Sequence, residues 1–130
     1  MKHKVVFTTD RGEWHQQMAL AAAPENLAIT MLRVPDKVKL MATLREAEFL
    51  ISERFGVIDA EIIQNAPKLK LIQRLGSLVY DIDLAAAVHA GIAVCYLPIG
   101  GVIHVAEHLV MQILAISKKL REVETIALAA

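Results

Sequence analysis

The 130-residue chain has little cysteine, few aromatic residues and no excess charge, and each shortage narrows the possible functions. Its single cysteine, Cys95, excludes an intramolecular disulfide and favours a reducing compartment, while its apolar surroundings predict a buried, inert thiol. The 14 basic and 14 acidic residues balance, without a run of like charge. The chain therefore lacks the charge pattern of a protein that binds nucleic acid or an anionic membrane.

Long uninterrupted apolar runs are also missing. No stretch of about twenty residues is free of charge, proline and glycine, which disfavours a transmembrane helix. Residues 1–10 lack the apolar core of a signal peptide and are typical of a first strand, so a cytoplasmic location is expected. What the chain has in abundance is hydrophobic residues, at 55% of its length, and this surplus predicts self-association.

Short β-branched runs alternate with helical patterns along the sequence. This alternation predicts an α/β fold in which helices cover both faces of a parallel sheet. We expect helices capped by Asp10, Asp59 and Asp83, and a left-handed helix end at Gly91. The five predicted strands are residues 4–9, 27–33, 48–52, 70–74 and 92–96.

The last predicted element is one long helix over residues 102–128, apolar around most of its circumference. A helix of this kind needs more than one neighbour to bury it. We expect it to pack on a domain of residues 1–101 and on a second copy of the chain, which makes residues 102–130 a dimerisation element. The residues expected at the centre of the homodimer are Val102, Val105, Leu109, Ile113, Ile116 and Leu120.

Several motifs between residues 66 and 108 follow one another in an order that points to a family. They are APKLKLI at 66–72, a glycine loop at 76–80, DLAAA at 83–87, GIAV at 91–94, Pro98, and VAEH at 105–108. In the order and spacing of these motifs the chain resembles the D-isomer-specific 2-hydroxyacid dehydrogenases, which are NAD-dependent oxidoreductases acting on CH–OH groups.

The resemblance implies a flavodoxin-like, doubly wound substrate domain, which in the family accompanies a separate NAD-binding domain. The Gly-x-Gly-x-x-Gly turn of that other domain is absent from these 130 residues. The family's catalytic arginine, glutamate and histidine also belong to the other domain, so we assign no catalytic or cofactor-binding residue. NAD or NADP would need a site on a partner or a missing domain.

Two functions follow from the resemblance. The first is a stand-alone or truncated substrate domain, without turnover by itself. The alternative is a non-enzymatic, dimeric binding or interaction protein derived from the same family. The two alternatives share one fold and differ in whether a small acid binds.

The resemblance also implies where a small 2-hydroxy or 2-keto acid would bind. In the family, backbone N–H groups of a Gly-Val-Gly-Tyr-Asp loop hold the substrate carboxylate. The matching positions here are Gly76, Ser77 and Leu78, so leucine replaces the second glycine. Arg54 lies where the family often has an Arg-Ser pair, and it would suit a bidentate carboxylate contact. A solvated arginine at a strand end is the simpler interpretation of Arg54.

Residues 104–108 also spell H-x-x-E-H, the ligand pattern of inverted zinc peptidases. Both histidines would lie one turn apart on a helix, as zinc binding requires. The acidic residues downstream, Glu122 and Glu124, lie on the same predicted helix and are poorly placed as a third ligand. Because the VAEH motif already explains these residues, no metal site is predicted.

Overall fold

The computed structural model of the protein describes residues 2–33, 36–53, 56–98 and 101–129. Each of the five predicted strands is present, and no strand end differs from its prediction by more than one residue. In chain order the elements are β1 (His3–Thr8), α1 (Glu13–Ala21), β2 (Leu27–Leu32), α2 (Lys37–Leu44), β3 (Phe49–Ser52), α3 (Ala60–Gln64), β4 (Leu71–Arg74), α4 (Leu84–His89), β5 (Ala93–Cys95), α5 (Val102–Ser117) and α6 (Leu120–Leu128).

The five strands form one parallel sheet, in the order β2-β1-β3-β4-β5. This is the doubly wound order of flavodoxin-like domains, so the predicted fold class is confirmed. The register aligns the last residues of three adjacent strands: Thr8 of β1 pairs with Ser52 of β3, and Ser52 pairs with Arg74 of β4. The loops that leave these strands therefore meet at one edge of the sheet, which we call the carboxyl edge.

The core lies on both faces of the sheet. In β1, Val6 is buried on one face while Val5 and Phe7 are buried on the other. Leu50 of β3 and Ile72 of β4 are completely buried and belong to the main hydrophobic cluster. Apolar side chains on both faces of a strand are typical of parallel sheets that helices cover on each side.

Aspartate side chains begin two of the helices as the sequence predicts. The carboxylate of Asp59 accepts a hydrogen bond from the Ile62 backbone N–H at 3.0 Å, and that of Asp83 accepts one from Ala86 at 2.9 Å. The prediction that Asp10 caps the first helix is wrong. That helix, α1, begins only at Glu13, and the residue before it is Gly12, which has no side chain to cap it.

Gly91 ends α4 as the sequence predicts. Its φ of +70° lies in the left-handed region. That conformation costs glycine little and is unfavourable for residues with a Cβ atom. The backbone N–H of Gly91 donates to the Val88 carbonyl at 3.1 Å.

The chain divides into two compact units, Met1–Pro98 and Ile99–Ala130. The second unit contains α5 and α6, where the sequence predicts one continuous helix. That prediction is wrong at Lys119, which adopts a φ of +49° and separates the two helices. A left-handed conformation costs a residue with a Cβ atom roughly 1–2 kcal/mol.

The separation of α5 and α6 has a packing consequence. It brings Leu120, the first residue of α6, to an apolar groove of about 810 Å³ that α5 lines with Ile103, Val110 and Leu114. The groove stays open, since the side chains of these four residues are each more than half exposed. None of the helices in the described residues has the length and hydropathy that a membrane crossing needs.

The prediction of a buried Cys95 is also wrong, since its thiol is exposed. β5 is a short strand at the edge of the sheet. Ala93 and Cys95 share one of its faces and are both exposed, whereas Val94 on the other face packs against the core. An apolar run at a sheet edge can therefore have only one buried face.

Candidate functional site

Buried polar side chains are concentrated at the carboxyl edge of the sheet. Among the described residues, the buried polar or charged side chains are those of Thr8, Thr9, Ser52 and Arg74. They lie at or just after the ends of β1, β3 and β4, three neighbouring strands. Because burying polar groups costs free energy unless they are hydrogen-bonded, such a cluster needs a structural or functional explanation.

Arg74 is the centre of this polar cluster. Its guanidinium is completely buried and donates one hydrogen bond to the Ser52 hydroxyl, at 3.2 Å, and another to the Asp81 carboxylate. The remaining nitrogen, Nε, has no partner among the described residues. Arg74 therefore connects the end of β3, the end of β4 and the far end of the loop that follows β4.

The loop after β4, residues 75–81, has a glycine at its second position, where the backbone conformation favours glycine. Gly76 has a φ of +148°, although a Cβ atom there would meet nothing within 4 Å. Its carbonyl oxygen accepts a hydrogen bond from the Leu97 backbone N–H at 3.0 Å. This bond joins the loop after β4 to the segment after β5.

The structure brings the predicted binding residues Gly76, Ser77 and Leu78 to the carboxyl edge. Gly76 and Ser77 are half-buried, whereas the Leu78 side chain is exposed. Within the described residues, no acceptor is found for the backbone N–H groups of these three residues. Backbone N–H groups without partners are donors that a ligand carboxylate can accept from. Arg54, the fourth predicted binding residue, lies outside the described residues.

A second ion pair joins the segments that follow β1 and β3. The Glu53 carboxylate accepts from the Thr9 hydroxyl at 2.6 Å and from Arg11 Nε at 2.5 Å. In sheets of this strand order, the chain connections diverge between these two strands, and ligands commonly bind in the resulting crevice. A cavity of about 30 Å³ lies beside this ion pair and is lined in part by Thr9, Arg11 and Glu53.

Two carboxyl groups with lowered pKa values, those of Glu48 and Glu46, lie away from this cluster. Glu48 immediately precedes β3. A hydrogen bond with Lys70 is the main cause that lowers the pKa of its carboxyl group, and a hydrogen bond with His3 is the second. A hydrogen bond from Lys68 lowers the pKa of Glu46 in the same way. These pairs lie at the opposite edge of the sheet from Arg74, so their part is structural.

The described residues contain no group of three histidine, cysteine or acidic side chains that could hold a metal ion. In the H-x-x-E-H segment, His104 Nδ1 lies 3.3 Å from a Glu107 carboxylate oxygen, while His108 Nε2 lies 3.0 Å from Gln112 Nε2. The two histidines are exposed and have different neighbours.

Five of the six residues expected in a dimer form one exposed stripe on α5. We call this the outer stripe, and its members are Val102, Val105, Leu109, Ile113 and Ile116. The sixth, Leu120, belongs to α6 and lines the groove beside α5. Leu120 is therefore not part of the outer stripe, because the chain turns at Lys119, and its place in a dimer stays a prediction.

Sequence reasoning missed the polar cluster itself. An arginine at the end of the apolar strand 71–74, two residues before a glycine, was the available signal for Arg74. Its partners Ser52 and Asp81 are 22 and 7 residues away in the sequence. No local pattern joins these three side chains, and only strand pairing brings them together.

The family profile described as D-isomer specific 2-hydroxyacid dehydrogenase, catalytic domain, matches residues 6–127. A D-3-phosphoglycerate dehydrogenase of Mycobacterium leprae is 32% identical over 108 residues, which are 83% of this chain and 20% of that protein. One from Archaeoglobus fulgidus is 42% identical over 86 residues, or 66% of this chain and 16% of that protein. The chain thus spans about a fifth of the length of these curated relatives.

Solved structures agree with the fold. The 2-hydroxyacid dehydrogenase from Ketogulonicigenium vulgare Y25 matches with a TM-score of 0.71 and 24% identity, over 100% of this chain and 40% of that chain. The NAD-dependent formate dehydrogenase from Staphylococcus aureus matches with a TM-score of 0.71 and 23% identity, over 92% of this chain and 40% of that chain. The profile match over nearly the whole sequence places this chain in the D-isomer-specific 2-hydroxyacid dehydrogenase family, as a catalytic, substrate-side domain.

Proposed function

We propose that this chain is the substrate-binding part of a D-2-hydroxyacid dehydrogenase and that it holds the carboxylate of a small 2-hydroxy or 2-keto acid. The observation that carries the proposal is the set of backbone N–H groups at Gly76, Ser77 and Leu78, for which the described residues provide no acceptor. These groups lie at the carboxyl edge of the sheet, where ligands of doubly wound folds bind.

A carboxylate suits these donors for an electrostatic reason. Hydrogen bonds from neutral N–H groups to an ionised acceptor are shorter and stronger than those to a neutral one. The loop that carries the donors is fixed at both ends, by Leu75 N–H bonded to the Ser52 carbonyl at 2.9 Å and by Asp81 bonded to Arg74. The donors are thus held in position before a ligand arrives, which lowers the entropic cost of binding.

The proposal includes the absence of turnover by the isolated chain. Its six glycines, at positions 12, 56, 76, 91, 100 and 101, nowhere form the Gly-x-Gly-x-x-Gly turn that brings backbone amides to a pyrophosphate. NAD or NADP would then be held by a further domain or another chain. Hydride transfer to a 2-keto acid would require that second component.

Titration of the purified protein with pyruvate and with lactate, followed by nuclear magnetic resonance, tests the proposal. We expect saturable shifts of the amide signals of residues 76–78 and no oxidation of NADH in the presence of pyruvate. Gly76→Ala should abolish binding, because alanine is strained at a φ of +148°.

Gly91→Ala is the matched control for this experiment. Gly91 also has a positive φ with open space around its Cβ position, but it lies at the end of α4. The control should lose a similar amount of stability and keep ligand binding. Binding that survives Gly76→Ala, or the lack of any saturable shift, would contradict the carboxylate site, whereas NADH oxidation would contradict only the absence of turnover.

We also propose self-association, which the alternative function of a dimeric interaction protein requires. No residue of α5 or α6 is buried, and thirteen large apolar side chains of the two helices are more than half exposed. Monomeric proteins rarely expose an apolar surface of this extent. We expect a homodimer in which the outer stripe of one copy faces that of the other, and a monomer at micromolar concentration by light scattering would contradict it.

A further inference from the structure

We propose that the acid bound at residues 76–78 carries an apolar side chain rather than a phosphorylated or otherwise charged one. This inference rests on the proposed function and specifies the class of its ligand. Two features of the described carboxyl edge support it: the exposed apolar side chains in the segments that carry or adjoin the backbone donors, and the ion pairs that compensate Arg11 and Arg74.

The segments that carry or adjoin these donors contain large, exposed apolar side chains. Leu75, Leu78 and Tyr80 belong to the loop after β4, and their exposed fractions lie between 42% and 77%. Tyr96 and Leu97 follow β5 and are more than half exposed. The hydrogen bond from Leu97 N–H to the Gly76 carbonyl holds the two segments together.

This combination has the composition of a small-molecule site. Such sites are mostly apolar, with a few polar groups that fix the orientation of the ligand. The backbone donors at residues 76–78 would fix the carboxylate, and the substituent on the neighbouring carbon would then meet leucine and tyrosine side chains. Leu78 contributes both a donor and an exposed apolar group, which makes it the residue most directly tied to ligand choice.

The charges at this edge disfavour a phosphate group. Phosphate is usually bound by arginine or lysine side chains that are free to form bidentate or multiple hydrogen bonds. Arg74 is completely buried and paired with Asp81, while Arg11 is paired with Glu53. In both described pairs, an acidic side chain compensates the charge of the arginine.

One other described arginine, Arg33, lies at the carboxyl edge of the sheet. Arg33 follows β2, which is three strands away from β4. At the usual spacing of strands this separation is about 14 Å, too far for a ligand of a few carbon atoms to span. The described arginines therefore provide no obvious phosphate partner beside residues 76–78.

The relatives named above are D-3-phosphoglycerate dehydrogenases, whose name specifies a phosphorylated acid. This chain thus differs from them in ligand choice although it shares their fold. The difference would arise at the loop after β4, where Leu78 replaces the second glycine of the family pattern.

A comparison of dissociation constants tests the inference. The ligands are pyruvate, 4-methyl-2-oxopentanoate, D-glycerate and D-3-phosphoglycerate, each titrated into the full chain by calorimetry. We expect 4-methyl-2-oxopentanoate to bind at least tenfold more tightly than pyruvate, because each buried methylene contributes roughly fourfold in affinity. D-3-phosphoglycerate should bind no more tightly than D-glycerate.

The outcomes separate the two proposals. If none of the four acids binds, the proposed function fails and the inference fails with it. If pyruvate binds as tightly as the branched acid, or if the phosphate group of D-3-phosphoglycerate improves affinity over D-glycerate, only the inference about the apolar side chain is overturned. Because the phosphorylated acid is measured directly, any contribution from residues outside the described ranges is included.

Variants at position 78 provide the second test. Leu78→Ala should keep pyruvate binding and reduce the preference for the branched acid to less than threefold. Leu78→Arg should favour D-3-phosphoglycerate over D-glycerate. Val88→Ala, an equally conservative change of an exposed side chain on α4, should leave all four affinities unchanged. An unaltered preference in Leu78→Ala, with the fold intact by circular dichroism, would overturn the inference.

Discussion

Arg74 shows how one side chain can organise a loop. A guanidinium cannot lose its proton in a protein, so a completely buried one must be compensated by hydrogen bonds and an opposite charge. The Ser52 hydroxyl and the Asp81 carboxylate provide that compensation. Their positions in turn fix the end of the loop that carries the backbone donors of residues 76–78.

The exposure of the two partners predicts an asymmetry in stability. The Arg74 side chain has no exposed surface, whereas 14% of the Asp81 side chain is exposed. Asp81→Asn would leave a buried charge without a counter-ion and should lower the free energy of unfolding by about 3 kcal/mol. Arg74→Met leaves a carboxylate that water can reach, and it should cost less.

Urea unfolding of the two single variants and the double variant measures this asymmetry. The double variant should lose less than the sum of the two single losses, because the partners form one interaction. Additive losses, or a larger loss for Arg74→Met than for Asp81→Asn, would contradict the compensated pair as described. Gly91→Ala is a suitable additive control, since it lies outside the pair.

At the scale of elements, α5 carries two apolar surfaces. The outer stripe includes Ile113, and the other surface lines the groove that Leu120 of α6 completes. Within the second unit, α6 contributes Leu120 to the lining of the groove and no residue to the outer stripe. The outer stripe is therefore the surface on which we expect a second copy to bind.

Ile113→Asp tests the outer stripe. In a twofold interface each copy contributes the same surface, so one substitution places two charges near the centre. We expect the dimer dissociation constant to rise by at least about 30-fold, which corresponds to about 2 kcal/mol. Sedimentation equilibrium measures the change.

Val38→Asp is the control for the stripe variant. Val38 is exposed like Ile113 but lies in the first turn of α2, where a negative charge is favourable. The control should leave the dissociation constant unchanged. Equal effects of the two substitutions would indicate a general response to added charge rather than an interface at α5.

Local patterns predicted most helix ends but not the division of the last helix. Asp59 and Asp83 cap helices because a side-chain oxygen three residues before a free N–H is a local arrangement. Lys119 breaks the helix although neither glycine nor proline marks the position. Periodicity reports which residues are apolar, and it does not report where the backbone turns.

At the scale of the molecule, ion pairs connect the amino ends of the strands. Lys70 donates to Glu48 at 2.7 Å, and Lys68 donates to Glu46 at 2.6 Å. These bonds lower the carboxyl pKa values below their ordinary value of 4.5. The pairs contribute stability above the unfolded pKa, and this contribution is lost as the pH falls through the folded pKa.

Glu48→Gln tests this pH dependence. The variant should be less stable than the parent at pH 7, and the gap should narrow as the pH falls below about 4.5, because the parent then loses the contribution of the carboxylate. Denaturant unfolding between pH 7 and pH 3 measures the gap. Glu25→Gln, at a position without an ion pair among the described residues, should show no such narrowing. A constant gap for Glu48→Gln would contradict the assignment.

The sequence alone determined the alternation of strands and helices, two helix caps and the family, because these depend on local patterns and on motif order. Tertiary structure decided the rest. Strand pairing aligned Thr8, Ser52 and Arg74, which are far apart in the chain, and thereby created the buried polar cluster behind residues 76–78. A sequence shows which side chains are available, but a shared sheet edge decides which of them meet.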